Sequence, residues 1–294
     1  MGTQSTLREA RIPMPLIVLV IVSAAAGVLV AFAASRLPRA GGRDGPPRLG
    51  FAARFDPEAA TGLALSIALI VLAAGGIVLA VLALLVRDAD AGLGIDRSAA
   101  DWGATHSTTF THDVLEAFTN LGKPGVVAAM AVALAIVETI RTRSRWVAPF
   151  LLIVVGGNGL ITTTIKELDD RVRPTIDPIA STLGPSFPSG HSSWAAAFFA
   201  AAALLLSRGR SRRVRIALSG LAAGLAVAVA ASRVLLGVHW LTDVLAGLAL
   251  GWAWFAACSI AFGGRLLEFG AAVRPEPGRD ATARRDLLRD TSLR

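Results

Sequence analysis

Apolar residues in this chain come in blocks rather than scattered or alternating. Seven runs, 14–34, 63–86, 126–140, 146–165, 192–206, 216–231 and 241–262, are built largely of Ala, Leu, Val, Ile, Gly and Phe. They approach the roughly 20 residues a helix needs to cross a hydrocarbon layer. Their small side chains suit helices that pack closely inside a bilayer. No internal repeat and no heptad seam is visible. The pattern predicts an all-α, polytopic membrane bundle.

Composition agrees. The chain has 294 residues, 54% of them hydrophobic, and a mean hydropathy of +0.60, which is more apolar than soluble domains. Seven spans with modest connections leave little room for a second domain. The expected division is 1–62, a first span and an Arg/Gly/Pro-rich loop (38–57); 63–264, the main membrane domain; and 265–294, a polar, disordered cytoplasmic tail. The net charge of +8 does not indicate nucleic acid, because most arginines sit in short connections between spans and report topology. The single cysteine, Cys258, excludes an intramolecular disulfide and reads as a packing residue.

Those arginines orient the chain. Connection 141–146 holds Arg141, Arg143 and Arg145, and connection 207–215 holds Arg208, Arg210, Arg212, Arg213 and Arg215, with no acid in either. Both are expected on the cytoplasmic side. Segment 87–123 carries three basic residues against six acidic ones and is expected outside. Ala31-Phe32-Ala33 could end a cleaved signal peptide. Cleavage there would invert all later spans and turn two Arg-rich connections outward. An uncleaved first helix with its N-terminus outside fits better, with a helix lying in the interface as the alternative.

On that topology three polar clusters fall at the outer ends of spans: Lys166 with Arg173-Pro174, Pro188-Ser189-Gly190-His191, and Ser232-Arg233 with His239 and Asp243. His239 and Asp243 are four apart, one face of a helix. A carboxylate accepting one ring N–H fixes the tautomer and leaves the other nitrogen free to attack. A histidine at a helix entrance beside a capping aspartate would show the same spacing; the neighbouring clusters weigh for chemistry. At the second cluster a turn opens a helix, and helix-start N–H groups receive phosphate readily. Ser189 can add a hydroxyl, Gly190 permits close backbone approach, and His191 can protonate a leaving oxygen. Lys166, Arg173 and Arg233 supply cations for a transferring phosphoryl group. Snorkelling cations at helix ends are the plainer reading of such residues, and Arg171 is assigned to it. Pro174 is expected to stop helix near Arg173 and turn that side chain inward.

Lys-x6-Arg-Pro, Pro-Ser-Gly-His and Ser-Arg-x5-His-x3-Asp resemble the three signatures of the type 2 phosphatidic acid phosphatase superfamily. Every signature position is filled, and the resemblance covers roughly residues 63–262. It implies a six-helix membrane core, so that the first span is an addition. It also implies catalysis without metal or cofactor. His239 would be a nucleophile forming a phosphohistidine, Asp243 its orienting group and His191 the general acid. Lys166, Arg173, Ser189, Gly190 and Arg233 would bind phosphate. The substrate implied is a lipid-linked phosphate or diphosphate, polyprenyl diphosphate or phosphatidate-like, met at the outer face. The rival readings are a vanadate-holding haloperoxidase and a lipid-phosphate binding or transport protein without turnover.

The remaining polar residues read more plainly. His106, His112 and Asp113 suit an amphipathic surface helix rather than a metal site. Glu138 is expected to pair with Arg141, Asn158 to bond between helices, and Trp146 and Trp240 to anchor span ends at the interface.

Overall fold

The structure is a computed structural model that describes residues 13–36, 60–87, 93–174 and 184–266. The expected loop at 38–57 and the tail from 267 onward lie outside the described residues. The described chain is helical: α1 Met14–Arg36, α2 Ala60–Val86, α3 Gly94–His106, α4 Thr109–Asn120, α5 Pro124–Thr142, α6 Val147–Leu152, a π-helical turn Ile153–Gly157, α7 Asn158–Leu168, α8 Gly190–Leu206, α9 Arg212–Leu235 and α10 Leu241–Leu266. Six of these stretches, counting α6 to α7 as one, are long and apolar enough to cross a membrane, and α8 is a shorter apolar helix. All seven predicted runs are therefore helices. The region around His106 and His112 forms two surface helices, α3 and α4, as expected.

Helix α8 is the central member. Its Ala195, Ala196, Ala197, Phe198, Phe199 and Ala201 are all buried, between α9 on one side and α10 on the other. Close approach to α10 depends on glycine. A Cβ on Gly247 would run into the Ser189 carbonyl oxygen and come 2.9 Å from Ser192 Cβ. This contact presses the start of α8 against the first turns of α10 and so docks two of the sequence clusters together.

The first helix packs along α9. It runs antiparallel to α9. Ser35, near its end, accepts from Arg212 at the start of α9, while Leu16 and Leu19, near its beginning, pack with Leu235 and Leu236 at the end of α9. A Cβ on Gly220 would lie 2.7 Å from the Gly27 carbonyl, so the two backbones touch.

The span formed by α6 and α7 is interrupted by the π turn, which misaligns backbone carbonyls. Trp254 Nε1 of α10 donates to two of them, Ile153 O and Val154 O, at 3.1 Å each. Other intramembrane polar groups pair as expected. Arg141 Nε and Nη2 donate to Glu138 at 2.9 and 2.7 Å, and Ser193 donates to Asn158 Oδ1 at 2.8 Å. Arg141 also reaches the carbonyls of Leu205 and Arg208, which places the two Arg-rich connections side by side. Cys258 is buried in the core, as read.

Candidate active site

Four helix ends meet at the opposite end of the bundle. Lys166 lies in the last turn of α7, His191 in the first turn of α8, Arg233 in the last turn of α9, and Asp243 in the first turn of α10. The chain leaves α7 through an extended Asp169, and residues 169–174 form no regular secondary structure. Arg171 meets the first turn of α10, at Thr242 and Asp243, and Arg173 meets the turn that joins α9 to α10, at Val238 and His239. That turn reverses at Gly237, where φ is +67°.

Asp243 organises the turn. Its Oδ2 accepts from the Trp240 backbone N–H at 2.9 Å, from the Ser186 hydroxyl and from His239 Nδ1 at 3.3 Å. Its Oδ1 accepts from Arg171 Nη1 at 2.5 Å. The bond to Trp240 is that of an acid at the third helical position capping the helix entrance, so one carboxylate both starts α10 and faces the imidazole.

On the other side of the ring, His239 Nε2 is 3.0 Å from Arg173 Nη1. A guanidinium only donates, so Nε2 carries the lone pair and the proton sits on Nδ1, toward Asp243. Burial pushes the His239 imidazole down to about 3, against the pull of Asp243. The ring is therefore neutral near pH 7. Burial also lowers the Arg173 guanidinium, with Asp243 opposing.

Two of the three cations, Lys166 and Arg173, converge on the loop before α8. Lys166 Nζ donates to Pro185 O at 2.6 Å. Arg173 donates to Gly184 O at 2.9 Å, to Val238 O at 2.9 Å and to Pro185 O at 3.2 Å. Arg233 is buried and donates from Nη1 to Thr119 Oγ1 at 3.1 Å. Its Nε and His191 Nε2 are buried, with no hydrogen-bond partner among the described residues. His191 lies within electrostatic range of Arg233, His239, Lys123 and Arg173. Ser189 is buried, and its hydroxyl accepts from Ser192 at 3.0 Å; Gly190 opens α8. All eight sequence-assigned residues thus gather at one end of the bundle. Among the described residues, no three His, Cys, Asp or Glu side chains converge as a metal site.

Two expectations fail. Arg171 is not a snorkelling cation. It is 4% exposed and bridges Asp243 and Asp96, with Nη2 to Asp96 Oδ2 at 2.8 Å. Trp240 is not an interface anchor. It is buried, and its Nε1 donates to Val172 O at 2.8 Å. In both cases the helix-end position was read correctly and the facing wrongly. Asp96, Ser186 and Thr119 were not singled out from sequence. They reach the site only through tertiary contact, and no local pattern marks them.

A sequence profile described as the PAP2 superfamily, the type 2 phosphatidic acid phosphatases, matches residues 125–266. Phosphatidylglycerophosphatase B of Bacillus subtilis (strain 168) is 32% identical over 145 residues, 48% of this chain and 70% of the relative. The chain belongs to the PAP2 superfamily. The lipid A 1-phosphatase of Rhizobium johnstonii is 34% identical over 136 residues, 41% of this chain and 52% of that protein. A crystal structure of a transmembrane PAP2 type phosphatidylglycerolphosphate phosphatase from Bacillus subtilis superposes with a TM-score of 0.61 at 26% identity, covering 66% of this chain and 96% of the other. The PAP2 profile spans α5 to α10, the part that carries all three clusters. The chain is a multi-pass, all-helical membrane enzyme, a lipid phosphatase of the PAP2 type.

Proposed function

We propose that the enzyme removes phosphate from a lipid phosphate monoester or diphosphate at the outer membrane face, through a phosphohistidine on His239. One observation carries this reading. His239 is a buried, neutral imidazole with its Nδ1–H backed by Asp243 and its Nε2 lone pair turned toward Arg173. Nε2 attacks phosphorus, and the bond from phosphorus to the lipid oxygen breaks. That oxygen takes a proton from His191, whose imidazole is pushed down to about 3 by burial and Arg233 and is raised again by the incoming phosphate anion. Water then attacks the phosphohistidine, returns a proton to His191 and releases inorganic phosphate. Lys166, Arg173, Arg233, the Ser189 hydroxyl and the backbone at Gly190 hold the phosphoryl oxygens, doing with fixed charge what a divalent metal does elsewhere.

The site sits at helix ends, so a lipid can keep its tail in the bilayer while its phosphate reaches the cations. Residues 63–264 make the catalytic unit, with α1 added against α9. The outward orientation draws support from the paired Arg-rich connections at the other end of the bundle. The names of the relatives favour a phosphate on a glycerolipid or saccharolipid; polyprenyl diphosphate shares the same chemistry.

The test is phosphate release by the purified full-length protein in detergent with excess EDTA. The panel holds phosphatidylglycerophosphate, phosphatidate, lipid A 1-phosphate and undecaprenyl diphosphate, with His239→Ala as the control. Release from at least one lipid, lost in His239→Ala, is expected. No release from any, or loss in EDTA restored by magnesium, contradicts the reading. For orientation, Cys258→Ala protein carrying Asp101→Cys should react with an impermeant thiol reagent in intact cells, and protein carrying Ser211→Cys only after lysis. The reverse pattern puts the site inside.

A further inference from the structure

One oxygen of Asp243, Oδ2, faces the histidine, and the other, Oδ1, is held from behind. Among the described hydrogen bonds, Oδ1 has one donor, Arg171 Nη1, which also donates to Thr242 Oγ1 at 2.8 Å. The Arg171 side chain is 1% exposed and Asp96 and Asp243 are 0% exposed. Its second terminal nitrogen is held by Asp96, which in turn accepts from the Thr242 backbone N–H at 2.9 Å, from Thr242 Oγ1 at 2.8 Å and from Leu93 N at 3.2 Å. Asp96 therefore ties surface helix α3 to the first turn of α10.

Buried ion pairs contribute little net stability compared with apolar packing, so folding alone does not account for two carboxylates around one guanidinium. Geometry does. A carboxylate gripped at one oxygen only can turn about its Cβ–Cγ bond. With Oδ1 fixed by Arg171, the plane is set and Oδ2 stays aimed at the imidazole Nδ1–H. The Asp96 contact has its own consequence. Arg171 stands two residues from Arg173, and the two guanidiniums meet the His239–Asp243 pair from its two ends, Arg171 at Asp243 Oδ1 and Arg173 at His239 Nε2. Asp96 keeps Arg171 behind the ring.

We propose that Arg171, held by Asp96, is a positioning residue of the PAP2 reaction that acts through Asp243 on the orientation of His239. The proposal rests on the reading of His239 and Asp243 as the attacking pair.

The experiment is a double-mutant cycle on the full-length protein in detergent, with dioctanoyl phosphatidate as the probe. Arg171→Gln and Arg171→Lys are compared in the wild-type and Asp243→Asn backgrounds. The expected loss for Arg171→Gln is in kcat, about 10- to 100-fold as for a lost charged hydrogen bond, with KM within about twofold. In Asp243→Asn the further loss should be under about threefold. Arg171→Lys, which keeps the charge, should retain more activity than Arg171→Gln. An equal loss in both backgrounds, or a raised KM with kcat intact, overturns the proposal, the latter because it puts Arg171 on the substrate. If Arg171→Gln does not fold, Asp96→Asn carries the same cycle. A several-fold kcat loss that vanishes in Asp243→Asn supports the proposal, and wild-type kcat overturns it. Retained turnover in His239→Ala would instead defeat the nucleophile assignment, a separate readout from the cycle.

Discussion

The two faces of the His239 ring are built on opposite plans. On the Nδ1 face Asp243 is saturated. Both oxygens accept, from Arg171, Ser186, the Trp240 backbone and the ring itself. Nε2 faces Arg173. At the same end of the bundle Lys166 and Arg173 rest on backbone carbonyls of residues 184–186, and among the described residues Arg233 Nε and His191 Nε2 have no hydrogen-bond partner. A saturated rear holds orientation at no cost when reaction begins, and a donor-rich, acceptor-poor front suits an incoming oxyanion. One imidazole between the two can be both rigid and reactive.

Substitutions separate the faces. The largest expected effect after loss of the histidine itself is at the rear. Asp243→Asn should lower kcat by about 10³- to 10⁴-fold, as when an orienting carboxylate of a histidine is neutralised, and leave KM nearly unchanged. At the front, Arg233→Gln should cost about 10²- to 10³-fold in kcat/KM and raise KM as well. Steady-state kinetics on one lipid phosphate decides. If the rear variant changes KM and the front variant does not, the division is wrong.

Ser186→Ala removes one of three donors to Oδ2 and should lower kcat by roughly five- to tenfold, near 1 kcal/mol. A loss as large as that of Asp243→Asn would make Ser186 part of the chemistry.

The smallest effect concerns pH. His239 is pushed by burial to about 3, below the roughly 6.5 of an unfolded histidine. The neutral ring belongs to the fold, so its contribution to stability is complete above pH 6.5 and is lost as pH falls toward 3. Tm in detergent should decline over that window, and His239→Gln should flatten the decline. In kinetics, the limb for His239 protonation in the free enzyme should lie below pH 4. An acid limb near pH 6 in kcat/KM that coincides with the substrate's own titration, at about 6 for a phosphate monoester, belongs to the substrate phosphate. An acid limb near 6 assigned to the ring contradicts the burial argument.

Much of this was legible in the chain before the fold was known. Block hydropathy is a local property, so the seven helices could be read directly. The three clusters could be found because each is short and each carries chemistry at fixed spacing. The pairing of Glu138 with Arg141 and an interhelical bond for Asn158 followed from the cost of bare polar groups in lipid; that Ser193 is the partner did not. What could not be read was facing. Arg171 and Arg173 are two residues apart with the same side chain, and sequence marks only the one before proline. Trp240 at a span end has the composition of an anchor and the burial of a core residue. Asp96 lies 147 positions before Asp243 and shares Arg171 with it. Partnerships over that distance are set by packing, which no window along the chain contains.

The central claim is that Nε2 of His239 bonds to phosphorus during turnover. It is tested by mixing the purified enzyme with ³²P-labelled phosphatidate, quenching in alkaline detergent within the first turnover, and mapping the label by proteolysis. The account predicts label on the peptide holding His239, stable to alkali, released by acid, and absent from His239→Ala, which should also lose turnover by about 10⁴-fold or more. Turnover at the normal rate with no histidine-bound label at any quench time, together with substantial activity in His239→Ala, would contradict it.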